Sequence, residues 1–60
     1  MDNIVWYLQR AKESDIRTRR FPLWEDLPER YPDMASAMKA ADDKNAANDG
    51  YRYESDFYRI

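Results

Sequence analysis

Paired carboxylates are the residues of this chain whose types and spacing could support chemistry. The pairs are Glu25/Asp26, Asp42/Asp43 and Glu54/Asp56. Acid–base catalysis needs carboxyl groups in a desolvating cleft that separates their pKa values, and glycoside hydrolysis needs two of them across a substrate groove. Adjacent carboxylates on a helix diverge by about 100° and do not converge on one atom. We therefore interpret these pairs as solvated charge and expect no enzymatic activity.

Most other catalytic and cofactor sites are excluded by composition. The chain has 60 residues, no Cys, no His and one Gly. Structural zinc, thiol nucleophiles, disulfides and imidazole catalysis all need residues that are missing here. A glycine-rich phosphate loop cannot be built from one glycine, and the spaced Asp-x-Asp-x-Asp-Gly loop of a calcium site is absent. We expect no metal and no cofactor.

The length of the chain limits its organisation. A domain of this size buries only about 60% of the surface that its unfolded chain exposes, so residues 1–60 are expected to form one small domain. With 43% hydrophobic and 15% aromatic residues, a packed core is favoured over disorder. The longest apolar run, residues 4–8, is far shorter than the roughly 20 residues of a membrane helix, and no signal peptide is evident. We expect a cytoplasmic protein without a membrane partner.

The first part of the chain has the alternation of a β-hairpin. Residues 3–10 place Ile4, Trp6 and Leu8 on one face of a strand. Residues 11–15 are polar enough for a turn, and the chain alternates again from Ile16 to Phe21. The sequence therefore predicts two antiparallel strands in this region.

After Pro22 the hydrophobic period changes to a helical one. The spacing of Leu23, Trp24 and Leu27 predicts one helical turn, which Pro28 interrupts. A longer helix is predicted from about Pro32 to Asn45. Its apolar stripe consists of Met34, Ala37, Met38 and Ala41.

The final segment is predicted to be a strand. Gly50 lies where the end of a helix needs positive φ, and residues 51–54 alternate aromatic with charged side chains. The order β-β-α-β then favours an α+β fold: a three-stranded antiparallel sheet in the order 2-1-3, with the helix on one face. The expected core consists of Ile4, Trp6, Leu8, Ile16, Met34, Met38, Tyr51 and Tyr53. The other face, with Val5, Tyr7, Phe21 and Tyr58, is expected to bind a partner or a second copy of the chain.

Charge is unevenly distributed, which suggests an acidic binding surface. Residues 1–21 carry a net charge of +2 and residues 22–60 a net charge of −4. Acidic residues that share one side would imitate the phosphates of a nucleic acid. The candidate partner-binding residues are Trp24, Glu25, Asp26, Glu29, Asp33, Asp42 and Asp43. Trp24 has two interpretations, of which a lid on the core is favoured over an exposed anchor for a partner.

These features favour a non-catalytic protein-binding module. Its size and acidic balance are similar to those of small accessory proteins of bacteriophages and other mobile elements, including anti-CRISPR proteins and DNA mimics. This analogy of size and charge covers no particular positions. The leading hypothesis is an inhibitor that occupies a basic site on a larger nucleic-acid-handling protein or nucleoprotein complex.

Two alternatives belong to other functional classes. A single-stranded nucleic-acid module would use Arg17, Arg19 and Arg20 together with Tyr7 on the open side of the sheet. The net charge of −2 argues against it, because nucleic-acid-binding domains are usually basic. The third hypothesis is a structural subunit that has no activity of its own.

Overall fold

The computed structural model describes residues 3–60, which form a three-stranded sheet and two helices. The elements in chain order are β1 (Ile4–Lys12), α1 (Glu13–Thr18), β2 (Glu25–Tyr31), α2 (Met34–Ala46) and β3 (Tyr51–Arg59). Both neighbouring pairs of strands are antiparallel, and the order across the sheet is β2-β1-β3. The predicted α+β class, the β-β-α-β order with α2 as the main helix, and the strand order are confirmed.

The central strand is β1, the most apolar strand of the three. Its pairing with β3 runs without interruption from Ile4 opposite Arg59 to Lys12 opposite Tyr51. One further bond, in which the Ile60 N–H donates to the Asn3 carbonyl at 2.9 Å, extends the ladder. This position gives β1 a neighbouring strand on each side.

The predicted second strand from Ile16 to Phe21 is wrong, because this region contains α1 and the link that follows it. Glu13 and Asp15 lie in the first turn of α1 and Arg17 in the last, which is the arrangement that the helix dipole favours. The Thr18 hydroxyl also donates to the Ser14 carbonyl at 2.7 Å. Local charge and hydrogen bonding therefore outweigh the weak alternation of the sequence.

The helical turn predicted at Leu23, Trp24 and Leu27 is also wrong, because β2 begins at Glu25. Pro28 is tolerated there because β2 is an edge strand. The register shifts between the Tyr7 and Gln9 positions of β1, so that Pro28 lies in an irregular segment of β2.

Arg30 supplies hydrogen bonds to that irregular segment. Its Nη1 donates to the carbonyls of Leu27, Pro28 and Glu29 at 2.9, 3.1 and 3.2 Å. A carbonyl that loses its ladder partner where a strand is irregular can accept a hydrogen bond from a side chain instead. The Arg30 guanidinium therefore stabilises residues 27–29 of β2, a segment whose sequence shows neither a helical nor a strand period.

The main helix is confirmed to within two residues. It begins at Met34, because the Asp33 carboxylate accepts the Ser36 N–H at 2.7 Å, and this bond lowers the pKa of Asp33. After the helix, Asn48 and Gly50 both have positive φ, at 54° and 87°. The only glycine therefore occupies a left-handed position, as predicted, just before β3.

The core lies between α2 and one face of the sheet. Its buried members are Leu8, Ala37, Ala41 and Tyr53, against which Trp6, Leu27, Tyr31, Ala40 and Tyr51 pack. The predicted core positions Trp6, Leu8, Tyr51 and Tyr53 are confirmed.

The other predicted core positions are wrong. Met34 and Met38 are 52% and 49% exposed, Ile4 is exposed, and Ile16 lies on α1 outside the core cluster. The helix turns its alanines towards the sheet, so its backbone can approach closely while the longer methionine side chains lie at the side of the contact.

The outer edge of β3 is occupied by side chains. The Asn45 side-chain amide donates to the Tyr53 carbonyl at 2.9 Å and accepts the Tyr53 N–H at 2.8 Å, as a neighbouring strand would. The N–H groups of Tyr51 and Phe57 donate to Asp49 and Asp56 at 3.1 and 2.8 Å. These bonds attach α2 to the sheet and hinder pairing with another chain at this edge.

We expect Leu8→Ala to be severely destabilising. Leu8 is fully buried, and removal of such a side chain costs about 2–5 kcal/mol of unfolding free energy. This is comparable to the roughly 3–5 kcal/mol that a core of this size supplies. Urea unfolding followed by circular dichroism measures the change. The control is Ile4→Ala on the same strand, at an exposed position, where we expect a much smaller loss. Equal losses in the two variants would show that the core is not where we place it.

Candidate functional site

The sheet has a second face, opposite α2, whose central part is not covered by any helix of residues 3–60. Residues directly opposite each other on neighbouring strands present their side chains on the same face. The register therefore groups Val5, Tyr7, Gln9 and Ala11 of β1, Asp26 and Arg30 of β2, and Arg52, Glu54, Asp56 and Tyr58 of β3. We call these residues the open face. At one end of it, Ala11 is buried where α1 follows β1.

Two tyrosines and one arginine form the centre of the open face. The rings of Tyr7 and Tyr58 lie 5.7 Å apart at an angle of 56°. The guanidinium carbon of Arg30 lies 5.4 Å from the ring centroid of Tyr7 and 5.7 Å from that of Tyr58. Arg30 Nε also donates to the Tyr58 hydroxyl at 3.3 Å. These contacts hold both rings in place.

The same arginine links the open face to the irregular part of β2. Its Nη1 bonds to three β2 carbonyls, while its Nε and its guanidinium plane contact the tyrosines. Arg30 is therefore directed towards groups of the protein itself. We interpret it as a supporting residue of the site.

Three carboxylates surround the tyrosines. Asp26 accepts a hydrogen bond from Gln9 Nε2 at 3.1 Å, Asp56 lies opposite Tyr7, and Glu54 lies opposite Gln9. Glu54 and Asp56 are two residues apart on β3, so their backbones lie about 7 Å apart. Asp26 lies on the other side of β1, with its backbone about 10 Å from that of Glu54. Glu54 also has an exposed ion pair with Arg52 at 3.5 Å, a type of pair that contributes little.

The ionisation of Tyr7 reflects its burial and the charges around it. Burial raises the pKa of Tyr7 most, and the nearby carboxylates of Asp26 and Asp56 raise it further. The hydrogen bond from Gln9, at 3.4 Å, and the positive charge of Arg30 act in the opposite direction. Asp26 and Asp56 therefore act on Tyr7 as negative charges, and Arg30 offsets part of their effect.

The seven residues that the sequence suggested as an acidic surface are dispersed. Only Asp26 lies on the open face. Glu25 accepts from Arg10 Nε at 2.7 Å, and Asp33 is engaged as the cap of α2.

The remaining acidic candidates lie elsewhere. Glu29 is exposed in the irregular segment of β2. Asp42 lines a groove between α2 and β3, and Asp43 is exposed on α2. Val5, Tyr7 and Tyr58 are confirmed on the sheet face away from α2, and the structure adds Glu54 and Asp56 to them. The alternation of these two carboxylates with Tyr58 along β3 was the signal in the sequence.

Trp24 lies just before β2 and is 36% exposed. Most of its surface is covered, beside the buried Ala11 and beside Tyr51, which packs against the core cluster, so its role as a lid on the core stays a prediction. Together with Leu23 it lines a depression beside Arg10 and Tyr51, where the Arg10 guanidinium lies 4.3 Å from the Tyr51 ring centroid. Trp24 is therefore an accessible aromatic residue away from the open face.

The arginines of the nucleic-acid hypothesis are not on a strand beside Tyr7. Arg17 is in α1, and Arg19 and Arg20 follow it in the link to β2. The cation that contacts Tyr7 is Arg30. Phe21, expected on the open sheet face, lies in the same link.

Comparisons with known proteins do not assign a family. No family model, curated protein or solved structure matches this chain. Among residues 3–60, neither helix has the length and apolar character needed to cross a membrane.

We expect the double substitution Asp26→Asn and Asp56→Asn to lower the pKa of Tyr7 towards its ordinary value. Both carboxylates disfavour the tyrosinate anion, whereas the burial of the ring remains. The NMR shift of the Tyr7 ring carbon bonded to oxygen, followed against pH, reports this pKa. Asp42→Asn with Asp43→Asn removes the same charge from α2 and should leave Tyr7 unchanged. An unchanged Tyr7 in the first variant would contradict the geometry of the open face.

Proposed function

We propose that this protein is a non-catalytic binding module whose open face docks onto a basic site of a larger protein. The observation that carries the proposal is a pair of carboxylates near Tyr7. Asp56 lies directly opposite Tyr7 on β3, and Asp26 lies opposite Gln9 on β2, on the part of the sheet face that no helix of the described residues covers. The three carboxylates lie on an open sheet surface, and catalysis by carboxyl groups requires a desolvating cleft.

Arginine and lysine are the side chains that such a face recognises. Carboxylates bind guanidinium groups with strong, charge-assisted hydrogen bonds, and the faces of tyrosine rings attract cations. Tyrosine is also enriched among the residues that dominate binding energy at protein interfaces. The complementary partner is therefore a surface rich in arginine and lysine.

A nucleic-acid-handling complex offers this kind of surface, because arginine and lysine hold the phosphates of its substrate. The specific form of the proposal is a mobile-element inhibitor of the anti-CRISPR or DNA-mimic kind, acting in the cytoplasm. Its support is the acidic and aromatic open face together with the small size and net charge of −2.

Self-association through the open face is less favoured than binding to a basic partner. In a two-fold contact the same surface patch is contributed by both copies, so the interface would contain the three carboxylates of each copy. Like charges at an interface are costly. The carboxylates would likewise repel the phosphates of a single-stranded nucleic acid stacked on Tyr7 and Tyr58.

We expect a short peptide of alternating arginine and alanine to bind the open face at low salt. Substitution Asp26→Asn with Asp56→Asn should weaken binding about two- to thirtyfold, because it removes two exposed ion pairs that contribute about 0.2–1 kcal/mol each. Titration followed by NMR gives both the affinity and the residues that are perturbed. These should be Tyr7, Gln9 and Tyr58.

The matched control is Asp42→Asn with Asp43→Asn, which makes the same change in net charge on α2. Equal weakening by the two double substitutions, or perturbations centred on α2, would contradict the proposal. A parallel titration with oligothymidine distinguishes the alternatives. Binding of this oligonucleotide alone would favour the nucleic-acid module, and no response to either probe would favour the structural subunit.

A further inference from the structure

The link between α1 and β2 exposes large apolar side chains. Phe21 is 81% and Leu23 67% exposed, and Trp24, next to β2, is 36% exposed. They follow one another closely in residues 21–24, with only Pro22 between Phe21 and Leu23. Isolated apolar side chains are common on protein surfaces, whereas a contiguous group often marks an interaction site.

Three arginines adjoin this group. Residues 16–24 contain Arg17, Arg19 and Arg20 and no acidic residue. Arg19 Nε lies 3.6 Å from Asp15, an exposed pair, and the Arg20 guanidinium lies 5.8 Å from the ring centroid of its neighbour Phe21. The positive charge and the apolar side chains therefore belong to one short, exposed segment of a protein whose net charge is −2.

We propose that residues 17–24, which we call the basic apolar loop, bind the surface of an anionic lipid bilayer. Phe21 and Leu23 enter the boundary between headgroups and acyl chains, and Trp24 lies at headgroup depth, where tryptophan is enriched. The arginines contact lipid phosphates and carboxylates, to which the negative surface potential attracts them.

The aliphatic residues favour a bilayer over a nucleic acid. Bases stack on aromatic rings or on guanidinium planes, and neither Pro22 nor Leu23 offers such a surface. Acyl chains accept aliphatic and aromatic side chains alike. Leu23, the second most exposed member of the loop, therefore contributes to lipid binding and not to base stacking.

The bilayer site is separate from the open face and goes beyond the proposed function. The expectation of no membrane partner depended on the absence of a spanning segment, and peripheral binding does not require one. The two sites also have opposite charge, since the loop is basic and the open face carries three carboxylates. The two sites of the same protein can therefore be tested separately, each with a probe of the opposite charge.

The test is partition onto vesicles, measured by co-sedimentation and by tryptophan emission. We expect binding to vesicles of phosphatidylcholine mixed with phosphatidylserine, with a blue shift of Trp24, and much weaker binding to phosphatidylcholine alone. Substitution Phe21→Gln with Leu23→Gln should weaken partition at least about tenfold for each side chain removed. Arg17→Gln with Arg20→Gln should weaken it about fivefold per arginine.

Two matched controls keep the result specific. Met34→Gln with Met38→Gln removes two other exposed apolar side chains, and Lys39→Gln removes a cation from α2; neither should change partition by more than about twofold. Asp26→Asn with Asp56→Asn should keep vesicle binding while it binds the arginine peptide more weakly, so the two proposals fail separately. No partition at low salt, or equal losses in the loop and Met34/Met38 variants, would overturn the proposal. Binding of oligothymidine through the loop without vesicle binding would assign it to nucleic acid instead.

Discussion

The single main helix can cover only one face of the three-stranded sheet, and this constraint determines the rest of the molecule. Ala37 and Ala41 let α2 approach closely, and Leu8 and Tyr53 fill the contact from the sheet. Among residues 3–60, no second layer of comparable size lies on the other face. That face must therefore be compatible with water or with a partner, and its carboxylates and tyrosines meet both requirements.

Side chains replace the backbone partners that so small a sheet lacks. Asn45 pairs with the backbone of Tyr53 as a neighbouring strand would, and so joins the end of α2 to the edge of β3. On the opposite edge, Arg30 bonds to the carbonyls of β2 and at the same time contacts Tyr7 and Tyr58. The stability of an edge strand and the arrangement of the candidate site therefore depend on one arginine.

Sequence patterns correctly predicted the elements that are specified by residues within their own segment. The alternation of β1, the cap and stripe of α2 and the alternation of β3 lie within their own segments, and these elements are where the sequence placed them. The segment Glu25–Tyr31 has no strand period, because it contains Pro28 and its stability comes from β1 and Arg30. The candidate site shows the same division. Tyr7 and Tyr58 were placed on one sheet face from the sequence and Asp26 was named as a binding residue, but the proximity of Asp26 and Asp56 to Tyr7 follows only from the register of three strands.

The most direct test of this account is the accessibility of the two sheet faces to an uncharged paramagnetic chelate, measured by NMR relaxation of side-chain protons. We expect strong relaxation enhancement at Tyr58, intermediate enhancement at Val5 and Tyr7, and almost none at Leu8, Ala37 and Ala41. Protection of Tyr58 equal to that of Leu8 in the isolated protein would contradict it, because the second face would then be covered and unable to receive a partner.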